Sequence, residues 1–475
     1  MFKKYIYILS TLAIFSCDDI VKPELNVNPN NPTSAPYENI LTGSEVGNIV
    51  LQTGETARRA GILNGYYTGI DRQYEGVTNY QVTADAFDAL WDDAFVNTLR
   101  NAKVARTQAE EEGVQGVAIG ITQLLEAMAL GTSASLYGDI PFDEAGELQF
   151  ENPVYEDQTI VYDKLQTLLD EAINNLSAGT GVPPSGSEIY FNGNATKWIE
   201  VAYSLKARYY MHTKEYANAL AAAQLGISSL ESSLMAPHAG SAIDNSNLTW
   251  QLFFNESRGA DLVVSDFMIS LVNPDDTENP NPMMYRGNAK TDETGRYNYY
   301  FQNNDIGFQP NDESGSWAAR DADAPIITYE ENLLTIAEAT LRTGTFDQGL
   351  TALNEYRAFM NGGGYMNLDP ADVTYEAYVE ADFQSGGIEN PDGISQDDAL
   401  LREILEERYI TLFGQIEGFN DMRRTINESI VRVPVQPNTG NELPQRFIYP
   451  QSEIDRNSST PDPIPGLFDP TPVNQ

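Results

Sequence analysis

The sequence predicts a mainly α fold in which irregular excursions break the helical rhythm. Two observations carry this reading. Apolar residues recur three and four apart along most of the chain, the spacing of a helix face. Strand and helix patterns never alternate, so a doubly wound sheet is not expected.

The amino terminus stands apart. "MFKK" precedes the short apolar run "YIYILSTLAIF", well below the ~20 residues a bilayer-spanning helix needs. A charged start, an apolar middle and a small residue at the break describe a secretory signal peptide. The break falls at Ser16–Cys17, and Cys17 is the chain's one cysteine. Read as a lipobox, residues 1–16 are a lipoprotein signal peptide. Cys17 is then diacylated on its thiol and acylated on its new amino group. Several chains, at ~0.8 kcal/mol per buried methylene, hold firmly. The alternative is an unlipidated signal peptide in which the cysteine is accidental. Residues 17–36, with four prolines and no periodicity, read as an extended tether. The domain proper is expected over 37–475. No further segment of membrane-spanning length is expected, and a single cysteine leaves no disulfide.

Helical spacing then marks 35–55, 86–113, 114–138, 157–177, 194–213, 215–231, 329–344, 346–360 and 397–413. Between 234 and 325, and again over 361–396, it gives way to Asn, Asp, Gly, Pro and aromatic residues. Two stretches resemble degenerate tetratricopeptide units. In one, small Ala202 and Ala207 face Tyr216, Ala219 and Ala223; in the other, Ala337, Ala339 and Gly344 precede Phe346 and Leu350. The motif repeats every ~34 residues, whereas these copies lie far apart. Two ordinary αα-hairpins fit the pattern as well.

Twenty-eight basic residues against 69 acidic ones leave a net charge of −41. Such a chain repels nucleic acid and anionic lipid surfaces. There are two histidines, His212 at a helix end and His238 in a loop, and the cysteine sits at the membrane boundary. No Cys–His pair, GxSxG, HExxH, P-loop or CxxC pattern occurs. The acidic run "NPDDTENPNP" could hold calcium but lacks EF-hand spacing. No metal and no cofactor is expected. A pair of carboxylates for glycoside hydrolysis cannot be picked out from 69 acids.

The loop aromatics are more informative. Sugars present apolar C–H faces ringed by hydroxyls, which suits flat rings beside amides, carboxylates and guanidiniums. Trp317, in "NDESGSWAARDADAP", is the expected principal ring, with Tyr74, Tyr80 and Asp85 as an opposing wall. Arg72, Tyr67, Tyr285, Tyr300 and Asn304 complete the candidate set, with Arg286 as a further local cation. Trp250 and the Tyr297–Phe301 cluster come next. Any one loop aromatic could instead pack onto the body. Trp91 and Trp198, on amphipathic helices, are expected in the core.

Several stretches together resemble the SusD/RagB family of nutrient-binding outer-membrane lipoproteins of Bacteroidetes, in its SusD-like branch. They are "NPNNPTSAP", "LYGDIPFDEA", "DQTIVYDKLQTLLDEAINNL", "NGNATKWIEVAYSLKAR", "TYEENLLTIAEA", "REILEERYITLFGQIEGFNDMRRT" and "LPQRFIYPQSEIDRN". "CDDI" resembles the acidic export signal of surface lipoproteins of that phylum. The resemblance implies a single α-rich domain on four tetratricopeptide-like helix pairs, with the ligand site on irregular excursions. It also implies a TonB-dependent transporter as partner and surface exposure on the outer membrane through a lipid anchor. The motifs "YGDIPF" and "GFNDMRR" then read as scaffold, with Arg408, Asp421, Arg423 and Arg424 in buried charge networks. The expected function is non-catalytic capture of a neutral oligo- or polysaccharide, a laminarin-type β-glucan first and an α-glucan second. A peptide or other nutrient binder of the same fold, or a secreted glycoside hydrolase, are the alternatives.

Cys17→Ala should release the protein from the membrane fraction. Fractionation in which the variant remains bound as tightly as the parent would refute the anchor. Neutral residues at Asp18 and Asp19 should leave lipidation intact but lower protease accessibility on whole cells.

Overall fold

Every helical run anticipated from spacing forms a helix in the computed structural model, which describes residues 35–475. Cys17, the residues read as a signal peptide and nearly all of those read as a tether lie outside the described residues. Helix α1 spans Tyr37–Thr53. Asp88–Asp92, the π-helical Asp93–Arg100 and Asn101–Glu111 run on as one rod, α2. Next come α3 (Val117–Tyr137), α4 (Gln158–Ser177), α5 (Ala195–His212) and α6 (Tyr216–Ala223). Beyond the first excursion lie α7 (Tyr329–Thr343) and α8 (Phe346–Asn361), then α9 (Gln396–Thr411) and α10 (Glu417–Arg424). The starts are chemically marked. Asn194 caps α5 by accepting from Thr196 N and Lys197 N, and Thr345 and Gln348 form a capping box on α8. The run at 215–231 ends early, at Ala223.

The helices pack as four antiparallel pairs, α1 with α2, α3 with α4, α5 with α6, and α7 with α8. Each pair leans on the next, α2 on α3, α4 on α5 and α6 on α7. The two stretches read as tetratricopeptide-like are therefore neighbours in space. Ala219 of α6 shares a buried cluster with Met211 of α5 and Ala339 of α7. The 234–325 segment is an excursion inserted into a continuous array. Small residues at these crossings let the backbones approach.

Helix α3 corrects one expectation. It is long and apolar enough to cross a membrane, with a mean hydropathy of 1.3 over its best window, yet 94% of that window is buried inside the protein. An array needs a central helix that is apolar all round, and α3 lies between α2 and α4. Gly131 is part of that fit. A Cβ there would meet Tyr209 Oη at 2.0 Å, so glycine lets this hydroxyl reach the Ala127 carbonyl at 2.7 Å. Trp91 and Trp198 are buried, as expected.

The "GFNDMRR" helix is scaffold. Glu338 of α7 is fully buried and accepts from Arg424 through both oxygens at 2.5 Å and from Arg342 at 2.8 Å. Asp421 joins Arg408 and Arg424, at 2.7 Å each. Burial alone would raise the Glu338 pKa, but the guanidiniums of Arg424 and Arg342 hold it well below the carboxylate range. Arg423 departs from the expectation of an ion network. One residue along a helix is a turn of about 100°, so Arg423 faces away from Glu338. It donates to the carbonyls of Ser135 (2.7 Å) and Gln445 (3.1 Å), and burial lowers its pKa to about 10. "YGDIPF" is scaffold too: Tyr449 donates to the Asp139 carbonyl at 2.7 Å, and Asp139 accepts from Gln158 N at 2.8 Å.

Glu338→Ala would strand buried guanidiniums and should cost about 3–5 kcal/mol, read as a lowered urea midpoint. Arg402→Ala breaks an exposed pair with Asp392 and should cost at most about 1 kcal/mol. Equal losses would refute the special weight of the buried network.

Candidate functional site

The first excursion builds a cleft of about 1150 Å³ on the helical body. Its first wall is a short helix, Thr294–Tyr300. Asp292 holds the start of this helix, accepting from Thr294 N at 2.9 Å and Thr294 Oγ1 at 2.6 Å. At Phe301 the backbone turns to extended dihedrals and enters a hairpin, Phe301–Asn304 against Gly307–Pro310. Asn304 Oδ1 accepts from Ile306 N at 2.9 Å, closing the two-residue tip Asp305–Ile306. The loop 311–316 is tied back to the helix, since Asn311 Nδ2 donates to the Asn298 carbonyl at 2.6 Å. Leu368 and Asp372, packed beside Gly295 of this helix, complete the lining.

The rings beneath the cleft converge on Phe413. Its centroid lies 4.9 Å from Phe301, 5.0 Å from Trp317, 5.2 Å from Tyr67 and 5.3 Å from Tyr300. Gly414 makes room for this cluster. It has φ +76°, and a Cβ there would meet Trp317 Cζ2 at 2.4 Å.

The lining itself is polar with aromatic faces. Tyr297 and Tyr299 supply rings, and Asn298, Gln302, Asn303 and Asn304 supply amides. Glu278, Asp292, Asp305, Glu313 and Asp372 supply carboxylates, and no Lys, Arg or His lines it among the described residues. Burial, then the charges of Glu278 and Asp275, push the Tyr297 pKa up to about 12. Its hydroxyl therefore stays a donor at neutral pH. Such a surface offers stacking faces, donors and acceptors to a polyhydroxyl ligand, and repels an anionic one.

The candidate residues divide into three groups. Asn304 lines the cleft. Trp317, Tyr300 and Tyr67 form its foundation and are buried. Tyr300 donates to Tyr365 at 3.1 Å, and Trp317 sits behind Ser316, whose side of the loop faces the cleft. The remaining five do not line it. Tyr74 is buried and donates to Glu55 at 2.8 Å, and Tyr80 packs on Phe468 at 5.6 Å, so neither they nor the exposed Asp85 forms the expected wall opposite Trp317. Arg72 pairs with Asp261 at 3.2 Å, and Tyr285 folds over Gly287. Arg286 is no free cation, being buried among four glutamates. The Tyr297–Phe301 cluster, second in order from the sequence, supplies the aromatic wall. Its signal is "YNYYF", a run in which Tyr297 and Tyr299 line the cleft and Tyr300 and Phe301 are buried beneath it.

The acidic run at 273–282 forms its own turn, with the Asp275 carboxylate accepting from Thr277 N (2.8 Å) and Thr277 Oγ1 (2.7 Å). Among the described residues no group of three or more His, Cys, Asp or Glu side chains is placed to hold a metal ion. A second groove, about 290 Å³, opens beside the stacked Trp91 and Phe95 and is rimmed by Leu148 and Phe150. It lacks the row of amides.

Comparison with known proteins places this architecture. Residues 29–450 match the model of the SusD-like family described as starch-binding and associating with the outer membrane. No curated protein matches the chain. A SusD/RagB family protein from Bacteroides thetaiotaomicron is similar in structure, with TM-score 0.67 and 19% identity over 90% of this chain and 95% of its own. A SusD homolog from Bacteroides uniformis gives TM-score 0.68 and 16% identity over 93% and 100%. A chitin-binding SusD homolog from Flavobacterium johnsoniae gives TM-score 0.62 and 17% identity over 93% and 97%. The family model matches most of the chain and these solved members share its fold, so the chain belongs to the SusD-like family.

Proposed function

We propose that this protein is a non-catalytic, cell-surface glycan-binding lipoprotein that captures a neutral oligo- or polysaccharide in the Tyr297–Asn304 cleft. It passes the glycan to a TonB-dependent transporter in the outer membrane, to which Cys17 anchors it. The observation that carries this reading is the lining: rings, amides and carboxylates together, with no basic side chain. Rings replace water on the C–H faces of a sugar, and amides and carboxylates satisfy its hydroxyls. The family's description as starch-binding supports the glycan class. Carboxylates in the lining disfavour sulfated and uronic chains, a modest effect that salt screens within ~8–10 Å. A laminarin-type β-glucan is the first candidate and an α-glucan the second. Trp317 serves as the support on which the cleft's rings rest.

Calorimetry against laminarin, amylose fragments, chitin oligomers and a sulfated polysaccharide tests this. One neutral glycan should bind and the sulfated one should not. Sustained turnover of any of them, or binding of peptides only, would overturn the proposal. Tyr299→Ala should lose on the order of 1–3 kcal/mol if its ring stacks as aromatics do on nucleic-acid bases, about ten- to a hundredfold in affinity. Tyr80→Ala should leave affinity unchanged. Trp317→Ala should instead lower stability by about 3–5 kcal/mol.

A further inference from the structure

The helix Thr294–Tyr300 joins the cleft to the interior: Tyr297 and Tyr299 line the cleft, and Arg296 is wholly buried. Arg296 bonds Glu407 at 2.8 Å and lies 3.4 Å from Glu293. Arg286 shares both carboxylates, at 3.3 and 3.2 Å, and also holds Glu403 (2.6 Å) and Glu406 (3.0 Å). Arg357 faces Glu403 at 3.8 Å and donates to Thr291 Oγ1 at 2.9 Å. Three guanidiniums therefore stand against four carboxylates.

A fifth carboxylate, Glu389, closes the cluster. It accepts from the Tyr378 hydroxyl and from Asn288 Nδ2, the latter at 2.7 Å. The nearby cations are already matched. Lys290 pairs with Asp382 at 2.6 Å, and Arg402 pairs with Asp392 at 2.8 Å while donating only to the main-chain carbonyl of Glu389. Excess negative charge in a buried site favours a retained proton. Burial, then the charge of Glu403, raises the Glu389 pKa to about 8.

Glu389 reaches the cleft through bonded neighbours. Tyr378 also meets Thr291 Oγ1 at 3.0 Å. The strand Thr291–Asp292 pairs with Thr374–Tyr375, and Tyr375 donates to Glu293 at 3.0 Å. Asp292 and Asp372 line the cleft. We infer that this cluster is a proton-linked clasp on the cleft wall: it positions Tyr297 and Tyr299, and it closes with uptake of one proton on Glu389. Its meaning for ligand capture rests on the glycan reading of the cleft; the clasp itself does not.

The sign follows from linkage. The closed clasp binds the Glu389 proton more tightly than the open one, whose carboxyl has an ordinary pKa of about 4.3. Closing is firmest below that value, weakens as pH rises toward about 8, and changes no further above it.

Hydrogen exchange over residues 292–304, corrected for intrinsic rates, tests this without a ligand. In the parent, opening should rise by up to about tenfold per pH unit from about pH 5 to about pH 8 and then level. Glu389→Gln, which keeps an acceptor for Tyr378 and Asn288, should flatten the profile. Tyr378→Phe removes a bond that favours the ionised carboxylate and should extend the rise to higher pH. A flat parent profile, or the same slope in Glu389→Gln, would overturn the clasp. Calorimetry with laminarin at pH about 5.5 and about 7.5 is read separately. Affinity falling with pH in the parent supports coupling of the clasp to capture, and the absence of any glycan binding removes the reading of the cleft while leaving the exchange result decisive for the clasp.

Discussion

Glu407 and Arg408 are adjacent in α9 and fully buried, and they bind different parts of the molecule. Neighbours on a helix point about 100° apart. Glu407 reaches Arg286 and Arg296 of the first excursion, at 3.3 and 2.8 Å. Arg408 reaches Asp421 of α10 at 2.7 Å and Thr335 of α7 at 2.9 Å. One turn of α9 thus ties the loops that shape the cleft to the helix pairs that carry them.

Buried ion pairs are seldom a net source of stability, because desolvation offsets the attraction. Their value here is discrimination. An irregular excursion with little regular secondary structure has many alternative packings, and most would leave Arg286, Arg296 or Arg357 without a partner. Each stranded charge would cost several kcal/mol. This excludes the alternatives more sharply than apolar contacts could. The acidic surface can remain solvated while the few guanidiniums are spent inside.

Division of labour among the aromatics follows from the same economy of space. A ring in a loop either presents a face to solvent or supports a ring that does. Phe413, Trp317, Tyr300 and Tyr67 take the second role. Tyr297 and Tyr299 take the first. Three amides beside them are held by backbone bonds, Asn311 to the Asn298 carbonyl, Gln302 to the Pro310 carbonyl and Asn304 to Ile306 N, so this part of the polar wall is set before any ligand arrives. Preorganisation of this kind lowers the entropy lost on binding.

Local periodicity made the helices legible, since a face repeating every 3.6 residues is a property of each segment alone. Through spacing, the sequence by itself therefore determined the mainly α class and the core positions of Trp91 and Trp198, while the helix pairs and the scaffold role of "GFNDMRR" followed from the resemblance of whole stretches to a known family. It also separated the excursions from the array by their loss of spacing. It could not order the loop aromatics. Trp317 and Tyr299 look alike as loop or loop-edge rings among polar neighbours, and only the meeting of Trp317 with Phe413 across Gly414 buries one while the other faces the cleft. Arg286 likewise reads as a free cation until Glu403, Glu406 and Glu407, more than a hundred positions away, close around it. Burial and charge pairing depend on contacts between distant segments, and only the tertiary structure decides those.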